Sequence, residues 1–272
     1  MSPELSVVLP CYRAASLAAQ SVVRLQEFLT TCDLSWEVIV VDDGGGDFGD
    51  EWATEGQVRL VRLPVNRGKG AAVRAGMRAA RGAVRVFTDV DLPYDLSLLL
   101  VIARYITERR FHVVIGERTL PGASYAADIG WKRRIASGVF SLFVGKIAMG
   151  GFFDTQCGLG FRGDIADHVF ALGRLERFAF DVELVYISLV HRLDIKRIPV
   201  QLRRNDTSSV RLLRDSVQGF IDVFRIKGYQ LRGAYDSDSL DRIVSADFAQ
   251  ALDDVPAVTA VADRVARGRA AR

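Results

Sequence analysis

The sequence has few of the residues that build metal clusters or disulfide frameworks. Its 272 residues include only three cysteines and three histidines, and the histidines show no metal-ligand spacing. Cys11, Cys32 and Cys157 lie far apart and form no Cys-x-x-Cys pair, so neither a zinc ribbon nor a disulfide framework is indicated. This cysteine usage is typical of a reducing, cytosolic compartment.

The sequence also lacks a long uncharged apolar run. The N-terminal segment, MSPELSVVLPCYR, has neither the basic start nor the apolar centre of a secretory signal. The most apolar stretch, residues 135–153, contains Lys146 and four glycines and has the minimum length that spans a bilayer. We expect a buried helix or one lying in a lipid interface. The predicted location is the cytoplasm, with any membrane contact peripheral and on the cytoplasmic face.

The sequence has no large excess of positive or negative charge either. The 36 basic and 33 acidic residues leave a net charge of only +3, too small for a bulk nucleic-acid binder. The apolar fraction of 49% and charged fraction of 25% are ordinary globular values, which excludes global disorder.

What the sequence does contain is an alternation of short valine-rich runs with helical patterns. This alternation predicts an α/β fold: a mostly parallel, Rossmann-like central sheet with helices on both faces. We predict one domain over residues 1–235 and a tail over 236–272 that is helical or partly disordered. The predicted strands are residues 5–10, 36–41, 58–63, 84–88, 111–115 and 194–200, and the predicted helices are residues 14–31, 70–81, 96–109, 178–191 and 209–232.

Three motifs follow predicted strands, at the sheet edge where ligands of such folds bind. The first is Asp89-Val90-Asp91, after the strand VRVF. Two carboxylates this close on a turn suit Mg²⁺ or Mn²⁺ bridging a diphosphate, because such ions prefer oxygen ligands. The alternative is an aspartate pair that caps the next helix.

The second motif, DDGGGD, begins at Asp42 and Asp43, and the third, NRGKG, contains Lys69. A carboxylate at a strand end can accept a hydrogen bond from a base or a ribose hydroxyl, and glycines let a ligand approach the backbone. In NRGKG a lysine and a helix N-terminus converge, which suits an anion. A plain turn and a glycine-rich helix cap are the respective alternatives.

In this order, and together with LPCY at the end of the first strand, the motifs resemble those of the family 2 inverting glycosyltransferases of GT-A fold. Downstream, DTQCG, FAFDVE and IKRIPV resemble the polyprenyl-phosphate sugar transferases, of the dolichyl-phosphate β-glucosyltransferase type. The resemblance runs from about residue 5 to about residue 230. It implies a GT-A fold and transfer of a sugar, with glucose from UDP-glucose expected, to a polyprenyl phosphate.

The resemblance also implies roles for individual residues. Asp42 would read the base, and Asp89 and Asp91 would hold Mg²⁺ or Mn²⁺. The residues expected to bind the nucleotide sugar are Pro10, Tyr12, Arg13, Asp42, Asp43, Lys69, Asp89, Val90 and Asp91. The catalytic candidates are Asp91, Asp154, Asp181 and Arg118. The candidates for binding an acceptor phosphate are Arg118, Lys132, Arg133, Arg134 and Arg211.

Two questions stay open at this level. A lipid phosphate is already an anion at neutral pH and needs cations rather than a base, whereas a soluble hydroxyl acceptor needs a general base, with Asp181 and Asp154 as the candidates. A nucleotide-sugar-binding domain without turnover is a further alternative. The expected partners are a nucleotide sugar, a polyprenyl-phosphate lipid and a membrane surface but no nucleic acid, with homodimerisation left open.

Overall fold

The computed structural model describes residues 2–52, 56–118, 120–123, 158–177, 179–201 and 212–254, with the side chains of 212–220 and 252–254 left aside. Strands and helices alternate along these residues as the sequence predicts. The strands are β1 Leu5–Cys11, β2 Trp36–Asp42, β3 Val58–Arg62, β4 Val84–Phe87, β5 Val113–Glu117, β6 Leu159–Arg162 and β7 Ile195–Pro199. The helices are α1 Ala15–Leu29, α2 Lys69–Ala79, α3 Ser97–Thr107, α4 Gly163–Leu172, α5 Phe180–Val190, α6 Leu212–Leu231 and α7 Asp238–Asp254.

The seven strands form one sheet in the order β3-β2-β1-β4-β6-β5-β7. All pairings are parallel except those of β6, which runs antiparallel to both β4 and β5. The predicted mostly parallel sheet with helices is therefore confirmed. The sequence prediction missed β6 and the helix α4 behind it, because the four residues LGFR are too few to show a periodic pattern.

Both faces of the sheet are covered, which explains why its central strands are apolar at nearly every position. All seven residues of β1 and of β2 are buried. On one face α1 and α3 contribute Leu25 and Ile102 to the core. On the other, Gly76 of α2 lies so close to the sheet that a Cβ atom there would meet Val8 and Val41. Ligands are therefore expected at the edge of the sheet rather than on its faces.

The carboxyl ends of the central strands meet at one edge. Cys11 at the end of β1 pairs with Asp42 at the end of β2, and the amide of Asp43 donates a hydrogen bond of 2.8 Å to the Cys11 carbonyl. On the other side of β1, the amide of Thr88 after β4 donates to the carbonyl of Val8 at 3.1 Å. Three of the loops singled out in the sequence therefore start side by side.

The chain divides after Asp236 into two compact units. The first contains the sheet and the helices α1 to α6. Within the second, the structure describes the helix α7, where the sequence predicts a helical or partly disordered tail. In the part of the chain that the structure describes, no helix combines the length and hydropathy needed to cross a membrane.

Glu37, at the amino end of β2, gives the fold a pH-dependent contribution to stability. Its buried carboxylate accepts hydrogen bonds from Ser6 Oγ and from the Arg81 amide, each at 2.6 Å, and from Arg59 Nη2 at 3.0 Å. Burial is the strongest single influence and raises the pKa of Glu37, but the hydrogen bonds and the charge of Arg59 outweigh it and hold the pKa below its ordinary value. Ionised Glu37 therefore stabilises the folded state.

We expect Glu37→Gln to lower the free energy of unfolding at pH 7 by about 1–2 kcal/mol, because charged hydrogen bonds are lost. Since the folded-state pKa is depressed, the stabilisation is present above the ordinary value of 4.5 and is lost as pH falls below it. Urea unfolding at pH 7 and pH 4 measures the difference, which should shrink at pH 4. Glu27→Gln on the exposed side of α1 is the matched control, and an equal loss in both variants would contradict the assignment.

Candidate active site

The centre of the candidate site is an ion pair between the NRGKG and DVD motifs. Lys69 begins α2, and its Nζ contacts the carboxylate of Asp89, which follows β4. Both side chains are close to half exposed, at 43% each, so the pair lies at the surface of the open sheet edge. The structure thus brings together two motifs that lie 20 residues apart in the sequence.

Asp91 and Asp181 add to the negative charge around this lysine. Desolvation is the strongest influence and lowers the pKa of Lys69, but the carboxylates of Asp89, Asp181 and Asp91 together raise it above its ordinary value. Asp181 lies in the first turn of α5, where the helix dipole favours a carboxylate. One of the predicted site carboxylates, Asp89, therefore contacts the Lys69 ammonium group, and two others act on it electrostatically.

Two hydrogen bonds hold the backbone of the DVD turn. The hydroxyl of Ser21 on α1 donates to the carbonyl of Val90, and the Leu92 amide donates to the Asp89 carbonyl at 3.0 Å. Leu92 is fully buried and has a positive φ of 49°, a conformation that branched residues rarely adopt. Residues held in such conformations cluster at functional turns, and Leu92 directly follows Asp91.

The first two aspartates of DDGGGD, Asp42 and Asp43, are buried and shape the loops around them. Asp42 accepts hydrogen bonds from the amides of Gly45 at 2.7 Å and Gly46 at 3.3 Å. Asp43 accepts from the amides of Arg67 at 2.8 Å and Gly68 at 2.7 Å, and so connects this loop to NRGKG. A carboxylate offers about four acceptor positions, so these bonds leave capacity for a ligand. Reading of a base by Asp42 stays a prediction.

The end of β1 supplies the remaining residues of the predicted nucleotide pocket. Pro10 is buried in the strand, whereas Tyr12 is 45% exposed. Arg13 has a positive φ of 50°, and its guanidinium lies 5.2 Å from the centre of the Tyr12 ring. The guanidinium lies over the ring, which is otherwise exposed, and a flat base can stack on such a ring.

The loop before α2 packs closely against the segment that precedes α5. Gly68 has a φ of +109°, and a Cβ atom there would lie 2.7 Å from the carbonyl oxygen of Glu176. The same carbonyl accepts a hydrogen bond from the Ala71 amide at 3.1 Å, and the Glu176 carboxylate pairs with Arg67. Glycine is required at position 68 both by its backbone conformation and by this close approach.

Gly68→Ala should therefore weaken binding of UDP, the nucleotide that the sequence resemblance implies, about tenfold, because the backbone strain and the contact with Glu176 displace Lys69. Gly56→Ala is the matched control, since Gly56 also has a positive φ, of 106°, but a Cβ atom there would have no neighbouring atom within 4 Å. Titration calorimetry with UDP measures both variants. Equal affinity in the two would mean that the contact with Glu176 does not matter.

The donor set around Asp89 and Asp91 fits a hard divalent cation. Both side chains offer carboxylate oxygens, the ligand type that Mg²⁺ and Mn²⁺ prefer. Among the residues that the structure describes, no three His, Cys, Asp or Glu side chains converge as a complete metal cage. Mg²⁺ commonly takes one or two protein carboxylates and completes its coordination with substrate phosphates, so the two aspartates suffice for a metal that arrives with a diphosphate.

The predicted acceptor residues are only partly described. Arg118 follows β5 directly and is half-buried at the same edge of the sheet. It is next to Glu117, whose buried carboxylate pairs with Arg197 of β7. The other predicted residues lie outside the described part of the chain, as does the apolar stretch 135–153: Asp154, Lys132, Arg133, Arg134 and Arg211.

The sequence analysis did not predict the hydrogen bond between two buried residues, Glu183 and Tyr235. Glu183 accepts hydrogen bonds from two backbone amides and from the hydroxyl of Tyr235. No local signal in the sequence links Glu183 to a tyrosine 52 residues away.

Comparison with known proteins shows similarity over most of the chain and not only at single motifs. The family model "Glycosyl transferase family 2" matches residues 6–175. The dolichyl-phosphate beta-glucosyltransferase of Drosophila melanogaster is 32% identical to the chain, covering 89% of this chain and 79% of that protein. The enzyme of the same name from Dictyostelium discoideum is 30% identical, with coverage of 85% and 76%.

A solved structure shows the same architecture. Glucosyl-3-phosphoglycerate synthase from Mycobacterium tuberculosis, in complex with Mn²⁺, UDP and glucosyl-3-phosphoglycerate, superposes with a TM-score of 0.61. The alignment covers 83% of this chain and 80% of the other at 19% identity, a level that speaks for a shared fold.

Proposed function

The chain belongs to glycosyl transferase family 2, and from this premise we propose that it transfers glucose from UDP-glucose to a polyprenyl phosphate of the dolichyl type. The observation that carries the proposal is the assembly of Lys69, Asp89, Asp91 and Asp181 at the carboxyl edge of the sheet. The enzymes named dolichyl-phosphate beta-glucosyltransferase, similar over most of the chain, support the choice of glucose and lipid phosphate.

On the donor side, the proposal assigns recognition of the nucleoside to the loops after β1 and β2. Tyr12 offers the exposed ring for stacking, and Asp42 offers carboxylate oxygens at the base of the loop. Asp43 holds the NRGKG loop against the DDGGGD loop through two backbone amides. Lys69, at the start of α2, then presents a positive charge to the diphosphate.

Asp89 and Asp91 would hold the divalent cation, with Mg²⁺ and Mn²⁺ both compatible with their oxygen ligands. When bound, such a cation stabilises the negative charge that develops on the departing UDP. Lys69 contributes charge of the same sign, and its contact with Asp89 keeps it in place before the donor arrives. The hydrogen bonds from the Ser21 hydroxyl and the Leu92 amide hold the backbone of the turn that carries the two carboxylates.

On the acceptor side, the proposal needs cations rather than a base. A phosphate monoester is ionised at neutral pH, so its oxygen attacks the anomeric carbon without prior removal of a proton. Arg118 at the end of β5 is the described candidate for holding it, because a guanidinium binds two phosphate oxygens at once. A lipid acceptor further implies peripheral contact with a membrane on its cytoplasmic face, which belongs to the proposal.

A second candidate function is transfer to a soluble hydroxyl acceptor. The position of Asp181 favours it, because a carboxylate close to Lys69 and the DVD turn could serve as the general base that a hydroxyl requires. Under the first proposal this carboxylate has no proton to remove.

Transfer of labelled glucose tests both functions directly. The full chain is incubated with UDP-[¹⁴C]glucose, Mn²⁺ or Mg²⁺, and either a short-chain polyprenyl phosphate in detergent or 3-phosphoglycerate in detergent-free buffer. The proposal predicts label in the lipid phase that chelation of the metal abolishes. Label in the soluble acceptor alone would select the second function, and no transfer from any common nucleotide sugar would contradict both.

A further inference from the structure

Glu183, in the same first turn of α5 as Asp181, is a buried carboxylate held by three donors. Its Oε2 accepts from the amides of Arg174 at 2.9 Å and Leu175 at 2.8 Å, and its Oε1 accepts from Tyr235 Oη at 2.6 Å. The residue is 1% exposed. Burial is the main influence on its pKa and raises it, against the opposing effect of these hydrogen bonds.

The backbone that Glu183 holds is the segment that supports the NRGKG loop. The Leu175 carbonyl accepts from Arg74 Nη2 at 2.6 Å, and the next carbonyl, of Glu176, accepts from the Ala71 amide at 3.1 Å. Gly70 is packed just as closely, since a Cβ atom there would lie 2.9 Å from the Leu175 carbonyl oxygen. A shift of this segment would therefore move the first turn of α2.

The residue in that first turn is Lys69, whose ammonium group pairs with Asp89. We propose that Glu183, fixed by Tyr235, is a positioning residue for the donor site: it holds residues 174–176 in place, and through them sets where Lys69 meets the DVD carboxylates. This inference rests on the proposed function, because it assigns Glu183 a part in binding the donor diphosphate.

If Glu183 only filled space in the core, an apolar residue could replace it. An apolar side chain of similar volume would fill the space without the cost of burying a carboxylate. It would, however, leave the amides of Arg174 and Leu175 without an acceptor, and the segment would be free to relax away from α2. What Glu183 adds beyond packing is the fixed position of these two amides.

The test is the affinity of the full chain for UDP with Mn²⁺, measured by titration calorimetry on variants whose folding is checked by circular dichroism. Glu183→Leu should weaken binding about tenfold. Glu183→Gln should stay within about threefold of the parent chain, because its amide oxygen can still accept from both backbone amides although the Tyr235 hydroxyl loses its carboxylate acceptor. Ser188→Ala is the matched control, since it removes a buried 2.8 Å hydrogen bond elsewhere on α5.

If Glu183→Leu does not fold, Tyr235→Phe provides a second test of the inference. It removes one hydrogen bond but keeps the ring against Tyr186 and Tyr229, and we expect UDP binding to weaken about threefold. Unchanged affinity in folded Glu183→Leu or in Tyr235→Phe would overturn the inference, and so would an equal loss in Ser188→Ala. A parent chain that does not bind UDP at all would instead contradict the proposed function itself.

Discussion

Replacing Asp91 with alanine is expected to lower kcat/KM for sugar transfer by about a hundredfold or more, which corresponds to roughly 3 kcal/mol of barrier. Asp91 follows β4 on a turn held by the Ser21 hydroxyl and by buried Leu92. Its removal takes away one of two predicted ligands of the divalent cation. Initial rates with UDP-[¹⁴C]glucose and saturating acceptor measure the effect.

The matched control for this prediction is Asp33→Ala. Asp33 is an exposed aspartate before β2, at the opposite edge of the sheet, so its replacement should leave the rate within about twofold. Thermal unfolding should show that both variants are folded. Transfer by Asp91→Ala at the parental rate would mean that Asp91 does not hold a metal needed for the reaction.

The second large effect is expected for Lys69→Ala, which should lower kcat/KM about fiftyfold. Lys69 is the positive charge on which three carboxylates act, so its removal both frees Asp89 and deprives the diphosphate of a counter-charge. The loss should appear in the KM for UDP-glucose as well as in kcat, since the charge acts on the bound donor and on the departing UDP.

Two further variants separate this role from a general effect of charge. Arg78→Ala removes an exposed cation from the last turn of the same helix and should change the rate less than twofold. Lys69→Arg keeps the charge but not the shape, and should recover part of the activity. If Lys69→Ala and Arg78→Ala behaved alike, the contact between Lys69 and Asp89 would have no part in the reaction.

The sequence predicts much of this architecture because parallel strands carry a strong signal. Strands buried on both faces are apolar at nearly every position, as in WEVIVV, and the loops that follow them are rich in glycine and aspartate. The topology then brings Cys11, Asp42 and Thr88 to one edge, although they are far apart in the sequence. Knowing the strand ends is enough to expect LPCY, DDGGGD and the DVD motif side by side.

The rest could not be predicted because it depends on contacts between distant segments. The antiparallel strand β6 is four residues long, and only its partners β4 and β5 make it a strand. Gly68 requires glycine because of the Glu176 carbonyl, more than 100 residues further along the chain. The positive φ of Leu92 and the bond between Glu183 and Tyr235 likewise have no local pattern in the sequence.

The central claim is that Asp89 and Asp91 hold a divalent cation against the diphosphate of a sugar nucleotide. Titration calorimetry of UDP-glucose against the full chain, with Mn²⁺ and then with EDTA, tests it most directly when repeated on the double variant Asp89→Ala, Asp91→Ala. Tight binding should require Mn²⁺ in the parent chain and should be absent from the double variant under both conditions. Equal affinity with and without the metal, or parental affinity in the double variant, would contradict the claim.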